Sequence, residues 1–444
     1  MKEILDFFSF SDPNIRYVVL GSMLLAASSA IVGVFIVLKK KALIGDAVSH
    51  SVLPGVCAAF LFTGTKNIPL LIAGAFISGW LSIVLIDYIT RNSKVKKDAA
   101  ISIVLTVFFG LGVVMLTYIQ HHGFSSQSGL EGFIFGNAAA LIGSDVLVFS
   151  GIGLLLVLTV VAFFKEFALT AFDEPFAKTI GLPVGKLELL LTTLTVLAVV
   201  TGITAVGVVL MAAMLITPAA AARFWTDNLK KIVLISACFG AVSGLAGAFI
   251  SYLAPSMPTG PWMVVSSSCI AFFSFFFAPK RGSVFRWWKK RQYSRKADEE
   301  NILKAFFQLG ERDAAVLADA DDTLSSEYSS RQLNSRGMMN QSRFLSGLGR
   351  LKRKNRVDSN PDGRWRLTSS GKAESARIVR LHRLWELYLT KYMQMPAHKV
   401  HENAEMIEHV LNAQLEKELE QQLGFPEKDP HESHIPRLKE KSDD

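Results

Sequence analysis

Two clusters of carboxylates and imidazoles stand out along this 444-residue chain. The first is a pair, Asp46 and His50, within Leu43-Ile44-Gly45-Asp46-Ala47-Val48-Ser49-His50-Ser51-Val52-Leu53-Pro54-Gly55. Residues four apart share one helix face, so an oxygen and a nitrogen donor can meet on one divalent cation. Ligands of this kind suit manganese, iron(II) or zinc better than a thiolate-seeking ion. The same residues could instead form a helix-packing hydrogen bond with Ser49 or Ser51, because polar groups inside apolar segments also act as glue. The second cluster is denser. His401, Glu405, Glu408 and His409 recur at i, i+4, i+7 and i+8, a single stripe, and His382 and Glu386 form another i, i+4 pair on the preceding helix. Two facing helices carrying six such ligands can enclose one or two divalent transition ions without thiolates. A solvated face is the alternative, although such faces more typically alternate Lys with Glu.

The elements that must position these groups differ in kind. Up to about residue 279 the chain is apolar, whereas 31 of its 47 Lys and Arg and 25 of its 38 Asp and Glu lie in 280–444. Apolar runs of spanning length, about 20 residues, begin near Tyr17, Leu43, Ile68, Ala99, Asp145, Leu187, Ile203, Ile232 and Trp262. They predict nine crossings. Basic clusters at Lys39-Lys40-Lys41, Arg91 to Lys97, Lys165 to Lys186, Arg223 to Lys231 and from Lys280 recur after every second one, which puts them and the charged C-terminal part in the cytoplasm. An odd number of crossings puts the N-terminus outside; one span plus a re-entrant piece over Leu187 to Ala222 would undo that parity. The first residues contain acids and no cleavage pattern, so they do not read as a removable signal. Cys57, Cys238 and Cys269 form no spaced pair and read as small core residues. Phe285, Trp287 and Trp288 among Arg286, Lys289, Lys290 and Arg291 read as a flank at the membrane surface.

Beyond that flank, helical patterning covers Glu299 to Leu309, Ser329 to Ser335 and Asn340 to Lys354. In the last, Phe344, Leu345, Leu348 and Leu351 keep helical spacing while the basic residues face elsewhere. Two strand-like arms then flank Asn360-Pro361-Asp362-Gly363. Helix, helix, basic helix and hairpin is the order of a winged helix-turn-helix. Arg343, Arg350, Lys352, Arg353 and Arg364 would meet phosphates, and the N-terminal part of the third helix, with Gln341 and Ser342, would face base edges. The alternative is a charged helix on a protein-interaction module. His401-Glu402 lacks the second histidine of a zinc-protease helix, since Glu405 stands there, and no Gly-x-x-x-x-Gly-Lys-Ser/Thr occurs. An enzyme, or a chain with its own bound nucleotide, is therefore not expected.

Gly45-Asp46-Ala47-Val48-Ser49-His50-Ser51-Val52-Leu53-Pro54-Gly55 resembles the signature of the ABC-3 family of metal permeases, the membrane subunits of manganese, zinc and iron importers. Gly132-Phe133-Ile134-Phe135-Gly136-Asn137, Phe172-Asp173-Glu174-Pro175-Phe176-Ala177 with Ile180-Gly181-Leu182-Pro183, Leu215 to Arg223 and Pro258-Thr259-Gly260-Pro261 are similar to further family segments, in order. The resemblance implies a multi-pass protein of the bacterial inner membrane in which Asp46 and His50 line the ion pathway. It also implies a separate ATPase docking near Asp173, Glu174, Gly181 and Pro183, a second permease subunit, and an extracytoplasmic metal-binding protein. His121, His122 and Glu131, in an outer loop, could receive metal from that protein.

His382 to Glu386, His401 to His409 and the trailing His434-Ile435-Pro436 resemble the iron- and manganese-dependent repressors of the diphtheria-toxin-repressor type. That likeness implies Glu405, Glu408 and His409 in a primary regulatory site, His382, Glu386 and His401 in an ancillary one, manganese or iron(II) ahead of zinc as the ion, and operator DNA as a partner. It departs at one place. The first helix offers Asn301 and Lys304 where the family has carboxylates at Asp-x-x-Glu spacing, and only a shifted register would bring Asp298 or Glu300 there. The whole reads as an all-α polytopic membrane domain over 1–281, a basic aromatic linker over 282–297, a winged helix-turn-helix over 298–371 and a helical metal-binding and dimerisation domain over 372–444.

Overall fold

A computed structural model describes residues 2–64, 67–121, 136, 141–254, 257–279, 281–317, 326–335, 339–396 and 413–436. The chain forms two compact units, 1–286 and 287–444.

Among the described residues the regular elements of the first unit are all helices. After a short α1 (Lys2–Ser9), α2 (Pro13–Leu38) starts with Pro13 at its first position and Asp12 accepting from the Asn14 amide at 2.8 Å. Next come α3 (Leu43–Ser51), α4 (Leu53–Thr63), α5 (Ile68–Asn92), α6 (Lys97–His121), α7 (Gly143–Ala162), α8 (Phe164–Phe172), α9 (Glu174–Thr179), α10 (Val184–Val206), α11 (Val208–Ala222), α12 (Leu229–Leu253) and α13 (Thr259–Phe277). Among the described residues eight helical stretches are long and apolar enough to cross a membrane, with α3 and α4 counting as one. The ninth expected crossing is α11, of 15 residues. At 1.5 Å per residue it reaches about 22 Å, short of a hydrocarbon core of about 30 Å.

Small residues set the packing, as expected where lipid offers no hydrophobic drive between helices. A Cβ added to Gly240 would lie 2.5 Å from the Ala26 carbonyl oxygen, and one on Gly244 2.7 Å from that of Ser22, so α12 lies backbone to backbone on α2. Ser236 secures the pair by donating to the Ala30 carbonyl at 3.0 Å. Between α10 and α11 the chain turns at Gly207, whose φ of 95° and ψ of 160° belong to a region open essentially to glycine.

Most of α14 (Ser283–Leu317), a single helix of 35 residues that covers nearly all of the expected linker and the first expected helix, belongs to the second unit. Then come β1 (Tyr328–Ser329), α15 (Ser330–Leu333), α16 (Gln341–Arg353), β2 (Val357–Ser359), β3 (Arg364–Leu367), α17 (Ser369–Lys391) and α18 (Ala413–Leu423). The hairpin arms pair antiparallel, with Val357 opposite Leu367 and Ser359 opposite Trp365. A third strand, β1, pairs with β3 and completes the order β1-β3-β2. Two residues long, it carries no alternation that a sequence reading could detect.

Ile302 and Phe306 of α14, Leu333, Phe344, Leu348, Leu351, Val357 and Leu367 form one buried core beneath this wing. Phe344 is wholly buried, so Phe344→Ala is expected to cost about 3–5 kcal/mol, much of a domain's usual margin. Hydrogen exchange on the full chain should register the loss within 287–444 and leave the membrane helices protected.

Candidate metal centres

Asp46 lies in the first turn of α3, where the positive end of the helix dipole favours a carboxylate, and His50 one turn later. His50 Nε2 is 3.6 Å from Asp46 Oδ1, too far for a hydrogen bond. That separation is near the roughly 3–3.5 Å expected between two donors about 2.1 Å from one ion. His50 Nδ1 is buried with no hydrogen-bond partner, and the ring meets Phe109 of α6 edge to face at 5.1 Å.

The hydrogen-bonded alternative is not formed. Ser49 donates to the Gly45 carbonyl at 2.8 Å, and the buried Ser51 hydroxyl has no partner. Pro54 falls one turn beyond His50, where its missing N–H and its ring withdraw the usual bond to the His50 carbonyl; the helix divides there into α3 and α4. Asp46 keeps a side chain 46% exposed, in keeping with its position soon after the lysine cluster. Nearby, Lys41 pairs with Glu188 of α10, a contact the sequence reading did not find because the two lie far apart along the chain.

The segment between α8 and α10 is tightly organised. Asp173 caps α9 by accepting from the Phe176 amide at 2.9 Å, and Glu174 pairs with Lys178 at 2.7 Å. The hydrogen bond from Lys178 is the main reason that Glu174 titrates below the ordinary carboxylate range. Gly181 turns the chain with φ of 84°, and Pro183 opens α10. Phe172, Phe176 and Ile180 are all exposed here. His121 ends α6, with its Nδ1 2.9 Å from the Thr117 carbonyl oxygen; His122 and Glu131 lie outside the described residues.

In the second unit the structure brings His382 and Glu386 together on α17, both buried, with His382 Nε2 3.1 Å from Glu386 Oε1. Facing them from α14 is Lys304, its Nζ 3.1 Å from His382 Nδ1. His401, Glu405, Glu408 and His409 lie outside the described residues. Among the described residues no group of three or more His, Cys, Asp and Glu side chains could hold a metal. The stripe that Asp298 or Glu300 would have to face in a shifted register lies outside the described residues. Asp298 takes two bonds from Arg343, 2.8 Å to Nε and 2.7 Å to Nη2, while Glu300 pairs with Lys296.

These bonds matter for the proposed DNA-facing residues. The hydrogen bond and charge of Asp298 raise the Arg343 guanidinium further above its usual value. Arg350 is held by Glu299 at 2.8 Å and Lys354 by the same carboxylate at 2.6 Å. Gln341, Ser342, Lys352, Arg353 and Arg364 are exposed. Two of the expected phosphate contacts, Arg343 and Arg350, are thus ion-paired to α14, and sequence reasoning missed Asp298 and Glu299 as their partners.

Residues 11–278 match the ABC 3 transport family, which is well over half of the chain. This chain belongs to the ABC 3 transport family. Residues 368–437 of the permease also match the iron dependent repressor, metal binding and dimerisation domain. The manganese transport system membrane protein MntC of Bacillus subtilis (strain 168) is 42% identical over 383 residues, 86% of each chain. That alignment is longer than the membrane unit, so the likeness runs into the second unit. The zinc transport system membrane protein TroC of Treponema pallidum (strain Nichols) is 41% identical over 285 residues, 64% of this permease and 96% of TroC. Among solved structures, PsaBC from Streptococcus pneumoniae in complex with Fab aligns with a TM-score of 0.58 and 33% identity, covering 65% of this permease and 99% of that chain. The chain is therefore a transport subunit rather than a catalyst, with a repressor-type domain at its C-terminal end.

Proposed function

We propose that this permease conducts a divalent transition metal, manganese or zinc by analogy with the relatives named above, into the cytoplasm as one half of an ATP-driven importer. The observation that carries the reading is the pair Asp46 and His50, a carboxylate oxygen 3.6 Å from an imidazole Nε2 on one helix face. A passing cation held between Asp46 Oδ1 and His50 Nε2 would bind both groups, at a separation near that of two donors on one ion. The ion is cargo here.

The exposed Phe172, Phe176 and Ile180 beside Asp173, Glu174, Gly181 and Pro183 are the surface proposed to receive the ATPase, an apolar patch outside the spans that needs covering. A second permease subunit and an extracytoplasmic metal-binding protein complete the assembly. Placing the basic clusters inside puts the second unit in the cytoplasm, in a bacterial inner membrane. There we assign it to metal-dependent repression: Gln341, Ser342, Lys352, Arg353 and Arg364 toward DNA, with metal held by the stripe from His401 to His409, manganese or iron(II) preferred.

Two measurements test this. Cells lacking other manganese and zinc importers, expressing the permease with its ATPase, should accumulate one of these metals; no accumulation of either would overturn transport. The detergent-purified full chain should retard its own promoter DNA when manganese or iron(II) is added. No retardation with either ion would favour a unit that senses metal and gates the permease.

A further inference from the structure

The domain matched over residues 368–437 is a metal-binding one, yet among the described residues no group of three or more His, Cys, Asp and Glu side chains could hold an ion. We infer that the ammonium of Lys304 takes the place of an ion at His382 and Glu386, so that this position is filled by a cation built into the chain.

A ring nitrogen ligates a metal only through a free lone pair. At His382, Nδ1 lies 3.1 Å from Lys304 Nζ and can only accept, because a lysine ammonium has donors and no acceptor. Its proton is then on Nε2, which lies 3.1 Å from Glu386 Oε1. Both ring nitrogens are thus taken up, Nδ1 against the ammonium and Nε2 against the carboxylate. An arriving divalent ion would have to displace the ammonium and then sit beside it. All three residues are buried, Lys304 with 5% of its surface exposed, His382 with 4% and Glu386 with 2%, so the displaced ammonium would have little water to turn to.

The geometry also fixes what the lysine does mechanically. Lys304 belongs to α14 and the histidine and glutamate to α17, so the ammonium ties two helices together as a shared ion would. Arg383 of α17 reinforces the same joint through Glu311 of α14, at 2.9 and 2.7 Å. This joint therefore stands at any metal concentration, and metal sensing is left to the stripe from His401 to His409. That last clause rests on the proposed function; the filling of the His382 position does not.

Counting ions by difference separates the two. Full chain in detergent is dialysed against Mn2+ alone, and bound manganese per chain is measured by atomic emission. His382→Ala should leave the count unchanged, because no ion is lost. Lys304→Glu should bind one more ion per chain, and adding His382→Ala to it should remove that ion. A wild-type count that falls by one on His382→Ala would overturn the inference, as would a folded Lys304→Glu chain that gains none. Should Lys304→Glu not fold, Lys304→Gln, which drops the charge on a side chain one atom shorter, is read in its place with the same two outcomes. Ions held by the stripe or by the permease appear in every count and cancel.

Discussion

Asp46→Ala or His50→Ala is expected to lower metal uptake by at least about tenfold to a hundredfold, the range lost when even a supporting partner of a metal ligand is removed. Protein in the membrane should be unchanged. Asp46 is half-exposed and contributes little to packing, and His50, though its ring meets Phe109 edge to face, holds no hydrogen bond through Nδ1. Removing either should spare the helix, because α3 closes its own ladder and Ser49 bonds back to Gly45. The matched control is Ser49→Ala on the same helix, which deletes only a local bond and should retain uptake. Radiolabelled manganese and zinc, measured with equal amounts of protein confirmed by blotting, decide the matter. Uptake by Asp46→Ala and His50→Ala equal to that of Ser49→Ala would remove the pair from the ion pathway.

Much of this centre was legible in the sequence, because i, i+4 spacing is a property of any helix and two ionisable residues within apolar surroundings mark themselves. The division of the helix beside His50 could also be read, from Pro54 at the position that would otherwise bond the His50 carbonyl. Tertiary pairing could not. Arg343 with Asp298 and Arg350 with Glu299 lie 45 and 51 residues apart, and basic residues spaced for phosphates look the same whether they meet DNA or a neighbouring acid. Lys304 was visible only as a ligand that should have been a carboxylate. That its ammonium reaches His382 depends on how α14 packs on α17, which neither helix encodes alone. The ninth crossing shows a similar limit. Hydropathy registered apolar residues through 187–222 but could not register that Gly207 ends one helix and begins another only 15 residues long.

Gly33→Val is expected to abolish uptake by disrupting the wall behind the metal pair, although Gly33 is itself no ligand. A Cβ at Gly33 would fall 1.8 Å from the Leu215 carbonyl oxygen, a backbone atom that no rotamer change can move away. Helices α2 and α11 must therefore part. Leu215 in turn supports α3: its Cδ2 lies 3.0 Å from where a Cβ on Gly45 would stand, and Gly45 is the residue before Asp46. Displacing α11 thus disturbs the helix that carries Asp46 and His50. Overpacking ordinarily costs about 1–3 kcal/mol when side chains can yield, and here the obstacle is main chain. Purified Gly33→Val should lose monodispersity on size-exclusion chromatography, with its uptake at background. Gly110→Ala and Gly151→Ala provide the contrast, since an added Cβ meets nothing within 4 Å at either position and both residues are helical and exposed. Replacing glycine with alanine there should favour the helix by about 0.5–1 kcal/mol and leave uptake intact. Wild-type uptake by Gly33→Val would mean that α2 and α11 do not brace the ion pathway; loss of uptake in all three would mean that helix glycines matter for a reason other than close approach.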